Sequence, residues 1–377
     1  MDIYEIYKKT ERLLCNSLIN IVSKACAKST LNQPPKKILL IKLFGFGNFI
    51  LLSPLMNILK NHNMEVHVLT TQQNENIVKA YSDLISKSHI VRYNKMWQLP
   101  INSLLLLKKI RDEKYDVTVD LEHVICFTSV LSVFSNSKNI FGFKMPNNPK
   151  YKICDQFVIN NDDKHIVYQF LDFLELFGIN NNSKNIQLIP PKSEEPGEYL
   201  TKLELTIFPE DLLIGINPFV GFQNRLRKWD KFSELIIKLL YMDNRIKIFL
   251  IGGPSDGSDV NDFVKINPER IHPVIGIDLK ELTQLFKKLN IFISCDTGPI
   301  HLAAASGCFT IGLYGPTDPA VYGPFTHNKK VIYKKLKCSP CTTNKNGKKI
   351  SCNENMCMMD IDVENVLEIV NNHIEAN

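Results

Sequence analysis

Residues 291–315 read IFISCDTGPIHLAAASGCFTIGLYG, and their reading decides the fold. IFISC is an apolar run of strand length, Asp296-Thr297-Gly298-Pro299 is turn chemistry, HLAAASG is a helix of small residues, and FTIGLYG is a second apolar run. Continuous apolar strands separated by a helix indicate parallel strands covered on both faces. The same rhythm extends upstream, where LLIGIN (212–217) and IKIFLIGG (246–253) read as strands, with KFSELIIKLLYM (231–242) and LKELTQLFKKL (279–289) as helices. Before it lies a first series. KILLIK (37–42), EVHVLT (65–70) and DVTVDL (116–121) read as strands, and FILLSPLMNILKNH (49–62), NENIVKAYSDL (74–84) and SLLLLKKIRDE (103–113) as helices. Alternation of this kind predicts an α/β class with two parallel-sheet domains. Two such domains facing one another would form a cleft outside the carboxyl ends of their strands, where open α/β sheets bind ligands.

The prolines and charges of IPPKSEEPG (189–197) interrupt the series as a linker would. The expected division is residues 1–36 as an N-terminal amphipathic helix and linker, 37–189 and 190–361 as the two domains, and 362–377 as a C-terminal helix packing back across them. Ile3, Ile6, Tyr7, Leu14, Leu18, Ile21 and Ala25 share one face of the first segment, among basic residues. Packing on the protein itself, on a second copy, or on the cytoplasmic face of the inner membrane are the open readings.

The chain has 377 residues, enough for two cores. Its net charge of +6 is too diluted for a nucleic-acid partner, but it is compatible with anionic small substrates. No run reaches the length needed to cross a bilayer, and the acidic residues in MDIYEIYKKTERLL argue against a secretory signal. Ten cysteines then suit a reducing compartment, and a cytoplasmic location is expected.

Three strand ends could carry chemistry. At Asp296-Thr297-Gly298, helix N-terminal amides would attract an anion, with His301 one turn further on. The bland alternative is that Asp296 or Thr297 caps the helix and His301 is a core residue. Gly253 and Asp256 follow a second strand, where a close ligand approach and a ribose contact compete with an ordinary turn. Asn217-Pro218-Phe219 leads into a basic loop with Arg225, Arg227 and Lys228, suited to a leaving diphosphate or simply to solvent. In the first half, Gly45-Phe46-Gly47-Asn48 is an incomplete glycine fingerprint, and it supports no dinucleotide site.

In their order along the chain, these segments resemble glycosyltransferase family 9, the ADP-heptose:lipopolysaccharide heptosyltransferase family. The matching elements are KILLIKLFGFGNFILLSPL, Tyr115-Asp116 to Asp120-Leu121, Arg227-Lys228-Trp229, Gly252-Gly253-Pro254, Asp296 to Ala305, and Tyr314-Gly315-Pro316-Thr317. The resemblance covers residues 37–370 and implies two Rossmann-like halves of the GT-B type. It implies an inverting transfer from an ADP-sugar, most simply ADP-heptose, to a glycan acceptor such as lipopolysaccharide core, with no metal at the chemical step. It places Gly47, Arg227, Lys228, Gly253, Asp256, Asp296, Thr297, Gly298 and His301 at substrate. A protein hydroxyl acceptor stays open, as does a homo-oligomer.

One departure concerns the reaction directly. The family's acid after the turn glycine, held to be the general base, is Asn48 here, and an amide cannot take a proton at neutral pH. A neighbouring carboxylate is one candidate replacement, Glu122 ahead of Asp120. Otherwise the acceptor's own phosphate takes the proton, or the chain is a non-catalytic binding or assembly subunit. A sugar-nucleotide epimerase shares the architecture without any further pattern. Cys338, Cys341, Cys352 and Cys357 are spaced for a tetrahedral zinc or iron site, with free thiols or disulfides as the alternatives. Similar cysteines hold a metal in autotransporter heptosyltransferases that the family includes.

Overall fold

The computed structural model describes residues 33–146, 148–180, 185–192, 207–343 and 354–376, with residues 17, 19, 20, 23, 29–31 and 352. The apolar face expected over residues 3–25 falls almost wholly outside the described residues. The chain divides into two compact units, the first running to Ile186 and the second beginning at Gln187.

The first unit is a six-stranded parallel sheet built from β1 (Lys37–Ile41), β2 (Glu65–Thr71), β3 (Lys87–Val91), β4 (Val117–Asp120), β5 (Asn139–Lys144) and β6 (Gln156–Ile159). Their spatial order is β3-β2-β1-β4-β5-β6. Register places Ile41 beside both Leu69 and Asp120. The second unit repeats the plan with β7 (Leu212–Asn217), β8 (Ile246–Gly252), β9 (Ile271–Ile275), β10 (Ile291–Cys295), β11 (Phe309–Tyr314) and β12 (Lys329–Tyr333). Its order, β12-β11-β10-β7-β8-β9, is the same doubly wound topology. Each sheet therefore reverses direction once, between β1 and β4 and between β7 and β10, and such switch points open a crevice at the strands' carboxyl ends. The turns after β1, β4, β7 and β10 are among those singled out from sequence, together with the turn after β8.

Central strands such as ILLI in β1 and IFISC in β10 are buried throughout, which is why their apolar runs are uninterrupted. The helix Val363–Glu375 buries Val363, Val366 and Val370 in the second unit's core, beside the helix Phe232–Met242. Trp229 fills the same core and donates its indole N–H to the Ile361 carbonyl at 3.1 Å. The tryptophan thus ties the loop after β7 to the segment leading into the last helix. Among the described residues, no helix is long and apolar enough to cross a membrane.

The opposite edge of the first sheet holds a polar cluster. The Tyr115 hydroxyl lies 2.8 Å from His67 Nδ1 and 2.8 Å from His89 Nε2, and His67 Nε2 meets Glu65 at 2.6 Å. Burial lowers the pKa of both imidazoles, that of His89 to about 4. As pH falls below about 6.5, the unfolded chain binds these protons before the native chain does, so stability declines towards pH 4. His89 alone would account for on the order of 2–3 kcal/mol across that window. Denaturant midpoints measured from pH 7.5 down to pH 5 are expected to fall, and to fall less steeply in His89→Asn. Parallel slopes for the two proteins would show that His89 is not the group responsible.

Candidate functional site

In the first unit, the chain leaves β1 at Lys42 and turns through Gly45 into the helix Phe46–Asn61. Gly45 has φ +97°, in the left-handed region that glycine adopts without strain. A Cβ on it would come within 2.3 Å of the Asn48 side-chain amide, so Asn48 lies directly over the turn. Asn48 and Gly47 are half-buried on the first helical turn, and the Asn48 N–H donates to the Gly45 carbonyl at 3.0 Å.

Glu122 is fully committed beneath this turn. Its Oε1 accepts from the Leu43 and Phe44 amides at 2.8 and 3.0 Å, and its Oε2 meets the Lys42 ammonium at 2.9 Å. Both partners are buried. Burial alone would raise the Glu122 pKa, but the Lys42 charge and the hydrogen bonds outweigh it and hold the carboxyl below its ordinary value. Asp120 is equally occupied. It pairs with Lys150 at 2.9 Å, accepts from the Thr128 hydroxyl at 2.9 Å, and accepts from the Glu122 amide at 3.1 Å. The Lys150 ammonium also donates to the Glu122 carbonyl at 2.6 Å. These two carboxylates are the expected replacements for the family's acid, and in the structure both are engaged. Each is buried, ion-paired and bonded to the turn, so together they brace the loop that presents Asn48.

In the second unit the functional residues converge on the end of β10. Thr297 precedes the helix Gly298–Ala305 in an extended conformation, and its side chain makes no cap hydrogen bond. Its hydroxyl turns instead towards Ser294 Oγ at 2.9 Å and the Asn217 side-chain amide at 3.5 Å. Asp296 does not cap either. Its Oδ2 accepts from the Thr317 hydroxyl at 2.6 Å and meets Arg227 Nη1 at 3.0 Å, while the Asp296 carbonyl accepts from the same nitrogen at 3.1 Å. The capping alternative thus has no hydrogen bond to support it, and the helix start keeps its amide donors. Gly298 and Pro299 are half-buried there. His301 is buried, its Nδ1 has no hydrogen-bond partner among the described residues, and burial lowers its pKa to about 4, so the ring is neutral at physiological pH.

The other candidates are placed less directly. Lys228 pairs with Asp230 at 2.9 Å in an exposed bridge. Asp256 Oδ2 accepts the Gly253 amide at 2.7 Å, so one carboxylate oxygen closes the turn itself. A Cβ at Gly253 would meet only that carboxylate, at 3.5 Å, whereas one at Gly252 would strike the Phe219 ring at 2.9 Å. Close packing within the protein requires glycine at 252, whereas the space beside Gly253 is open.

Sequence reasoning quoted Asn217 and Thr317 within their motifs without giving either a role, and it missed Lys42 and Lys150 as members of these sites. Lys42 was visible as a lone charge ending an apolar strand, and Thr317 as a hydroxyl just beyond β11. Lys150 had no local signal, because its partner is 30 residues away in sequence.

Among the four cysteines of the C-terminal cluster, Cys357 is buried and Cys338 exposed. Burial first, then the charges of Cys341, Cys352 and Cys338, push the Cys357 thiol up to about 11. The thiols therefore lie within electrostatic reach of one another. Among the described residues, however, no three ligating side chains are close enough to hold a metal ion as placed.

The two Rossmann-like parallel-sheet units are those of the GT-B class. The family model of glycosyltransferase family 9 (heptosyltransferase) matches residues 104–350. The chain is 25% identical to lipopolysaccharide heptosyltransferase 1 of Campylobacter coli over 366 residues, covering 89% of this chain and 98% of that one. It is 24% identical to lipooligosaccharide heptosyltransferase 2 of Campylobacter jejuni over 215 residues, or 56% of this chain and 64% of that relative, slightly under two thirds of its length. In fold it is similar to Escherichia coli ADP-heptose LPS heptosyltransferase II, with TM-score 0.69 and 16% identity over 90% of this chain and 99% of that one. It is also similar to the dodecameric iron-containing heptosyltransferase TibC, from enterotoxigenic E. coli, with TM-score 0.55 and 11% identity over 92% and 78% of the two chains. The chain belongs to glycosyltransferase family 9, and its class of activity is glycosyl transfer.

The brace in the first unit has a measurable consequence. Lys42→Met strands a buried carboxylate and is expected to cost about 3–5 kcal/mol in urea unfolding. Lys42→Met combined with Glu122→Gln should recover part of that loss, because no charge is then left unpaired. A single variant within about 1 kcal/mol of the parent would contradict the pairing.

Proposed function

We propose that this protein transfers heptose, with inversion, from ADP-heptose to a hydroxyl of a lipopolysaccharide core or a related surface glycan. The observation that carries the reading is the uncapped start of the helix Gly298–Ala305, with Arg227 beside it and an unpartnered His301 one turn in. Helix N-terminal amides and a guanidinium suit a diphosphate, whose charge grows as the bond to the anomeric carbon breaks. In this reading the acceptor oxygen forms the new bond to that carbon while ADP leaves with the bonding electron pair. Thr297 and the Gly298 amide hold phosphate oxygens, and neutral His301 donates one hydrogen bond. Asp296 orients Arg227, and Asp256 Oδ1, which the Ser255 hydroxyl approaches at 3.4 Å, meets the ribose.

On the acceptor side, Asn48 orients the hydroxyl, and the proton leaves to the acceptor's own phosphate, since Glu122 and Asp120 are occupied. A second reading, a non-catalytic subunit, is favoured by the same Asn48, which replaces the family's acid. A protein hydroxyl is the alternative acceptor. The choice of donor and acceptor rests on the likeness to lipopolysaccharide heptosyltransferases, and a location at the cytoplasmic side follows from that role. Likeness to TibC, which is dodecameric and contains iron, supports a homo-oligomer and a bound iron as further proposals for this chain. Four thiolates are chemically suited to iron or zinc, which would tie the segment after β12 to the last helix and take no part in transfer.

ADP and ADP-heptose should raise the melting temperature, and transfer should release ADP only when an acceptor is supplied. Arg227→Met and His301→Ala are each expected to weaken ADP binding about tenfold or more. Thr317→Val should raise the donor KM several-fold, with recovery in Thr317→Ser. Failure of ADP and its sugars to bind, or unchanged binding in both the Arg227 and His301 variants, would remove this reading. An inactive parent made active by Asn48→Asp would instead establish the non-catalytic one.

Elemental analysis of protein purified without added metal is expected to find about one iron or zinc per chain, lost in a Cys341→Ser, Cys357→Ser double variant. A metal-free protein with unchanged melting temperature in that variant would refute the site.

A further inference from the structure

The helix Gln98–Asp112 is apolar on two opposite faces. Leu99, Ser103, Leu107 and Ile110 are buried against the first unit. On the other side, Trp97 is 59% exposed, Ile101 50%, Leu104 45% and Leu105 73%. The spacing 97, 101, 104, 105 keeps these four on one stripe of a helix with 3.6 residues per turn. No packing demand explains them, since the helix is already anchored by its buried face. An exposed contiguous apolar stripe on an ordinary protein surface marks an interaction site.

The surroundings of the stripe specify its partner. Lys108 continues the stripe one turn further, with Lys109 and Arg111 on either flank, and Lys95 lies just before the helix, all exposed. Among the described residues, none of these four has an ion-pair partner. Arg92 nearby is paired with Glu75, and Glu113 with Lys37 and Lys87. Asp112 is the one exposed acid in the helix. A tryptophan and three aliphatic side chains rimmed by free cations match the boundary of an anionic bilayer, where indole rings sit at headgroup level and lysines meet lipid charge.

We infer that the helix Gln98–Asp112 docks the first unit onto an anionic lipid surface, with Trp97, Ile101, Leu104 and Leu105 entering the headgroup boundary and Lys95, Lys108, Lys109 and Arg111 above it. This inference stands apart from the identity of donor and acceptor.

Co-sedimentation of the full chain with vesicles of phosphatidylglycerol and phosphatidylethanolamine tests it. The protein should sediment with these vesicles and not with pure phosphatidylcholine, and raised salt should weaken the interaction. Ile101→Glu with Leu105→Glu should reduce the bound fraction about tenfold or more, while ADP-induced thermal stabilisation stays as in the parent. Lys108→Glu with Lys109→Glu, which leaves the apolar stripe intact, should lose binding selectively on the anionic vesicles. The inference is overturned if the parent ignores the vesicles. It is equally overturned if the Ile101/Leu105 variant binds as well as the parent, which would place attachment in another segment. A parent that ignores lipid but loses self-association in the variant would assign the stripe to a second copy.

Discussion

An α-helix cannot satisfy its own first N–H groups, and what is done about them at one turn organises much of the second unit. Thr297 and Asp296 have the chemistry to cap the helix Gly298–Ala305, yet both side chains point elsewhere. Thr297 bonds towards Ser294, and Asp296 is held by Thr317 and Arg227. The result is a helix start whose donors remain open, beside a guanidinium that is fixed but still partly exposed. Buried His301 reinforces this, because its low pKa keeps it a neutral hydrogen-bonding group and not a second cation. Had Asp296 capped the helix, Arg227 would lack its anchor and the amides would already be occupied. One choice of hydrogen-bond partner therefore sets both.

The first unit uses a similar pairing to a different end. Glu122 and Lys42 also lie where strands end at a switch point, but there the pair is buried on both sides and carries two backbone amides as well. A buried pair of this kind contributes little net stability against an apolar substitute. It does fix geometry, because moving the turn would break two amide bonds and expose a charge to apolar surroundings. Gly45 and Asn48 are held by that constraint, and the Asp120–Lys150 pair extends it towards β5. Burial thus decides the difference between the two pairs: a cation left partly in solvent can meet a ligand, whereas one sealed in the core can only hold the fold.

The central strands of both sheets were legible because strands covered on two faces must be apolar throughout, as KILLIK and IFISC are. The sheet edges were not. KSHIV in β3, QFVI in β6, IHPVI in β9 and KKVIY in β12 carry polar residues or a proline that edge positions tolerate and that mask the strand signal. The helix expected from Ser103 starts at Gln98, since Pro100 is acceptable in a first turn. At the sites, motif spacing put Asp296, Thr297 and His301 at one turn, but it could not say which groups their side chains bond. That depends on Thr317 and Arg227, brought from two other loops. The same limit applies to Glu122, whose partners are lysines 80 positions before it and 28 after it.

Asn48 remains the residue on which the proposed chemistry turns. A carboxylate at that position would stand over the turn that Glu122 and Lys42 brace, where it could accept the proton of an approaching hydroxyl. An amide forgoes that gain. It still offers both a donor and an acceptor to a hydroxyl, so it preserves orientation while giving up proton removal. Orientation is a large part of what a transferase supplies, and the acceptor proton need only leave late if departure of the diphosphate is well stabilised. The proposed transfer therefore places most of its demand on the amides and guanidinium around Thr297, and least on a base. A protein with that balance would tolerate loss of the carboxylate at 48 far better than loss of Arg227.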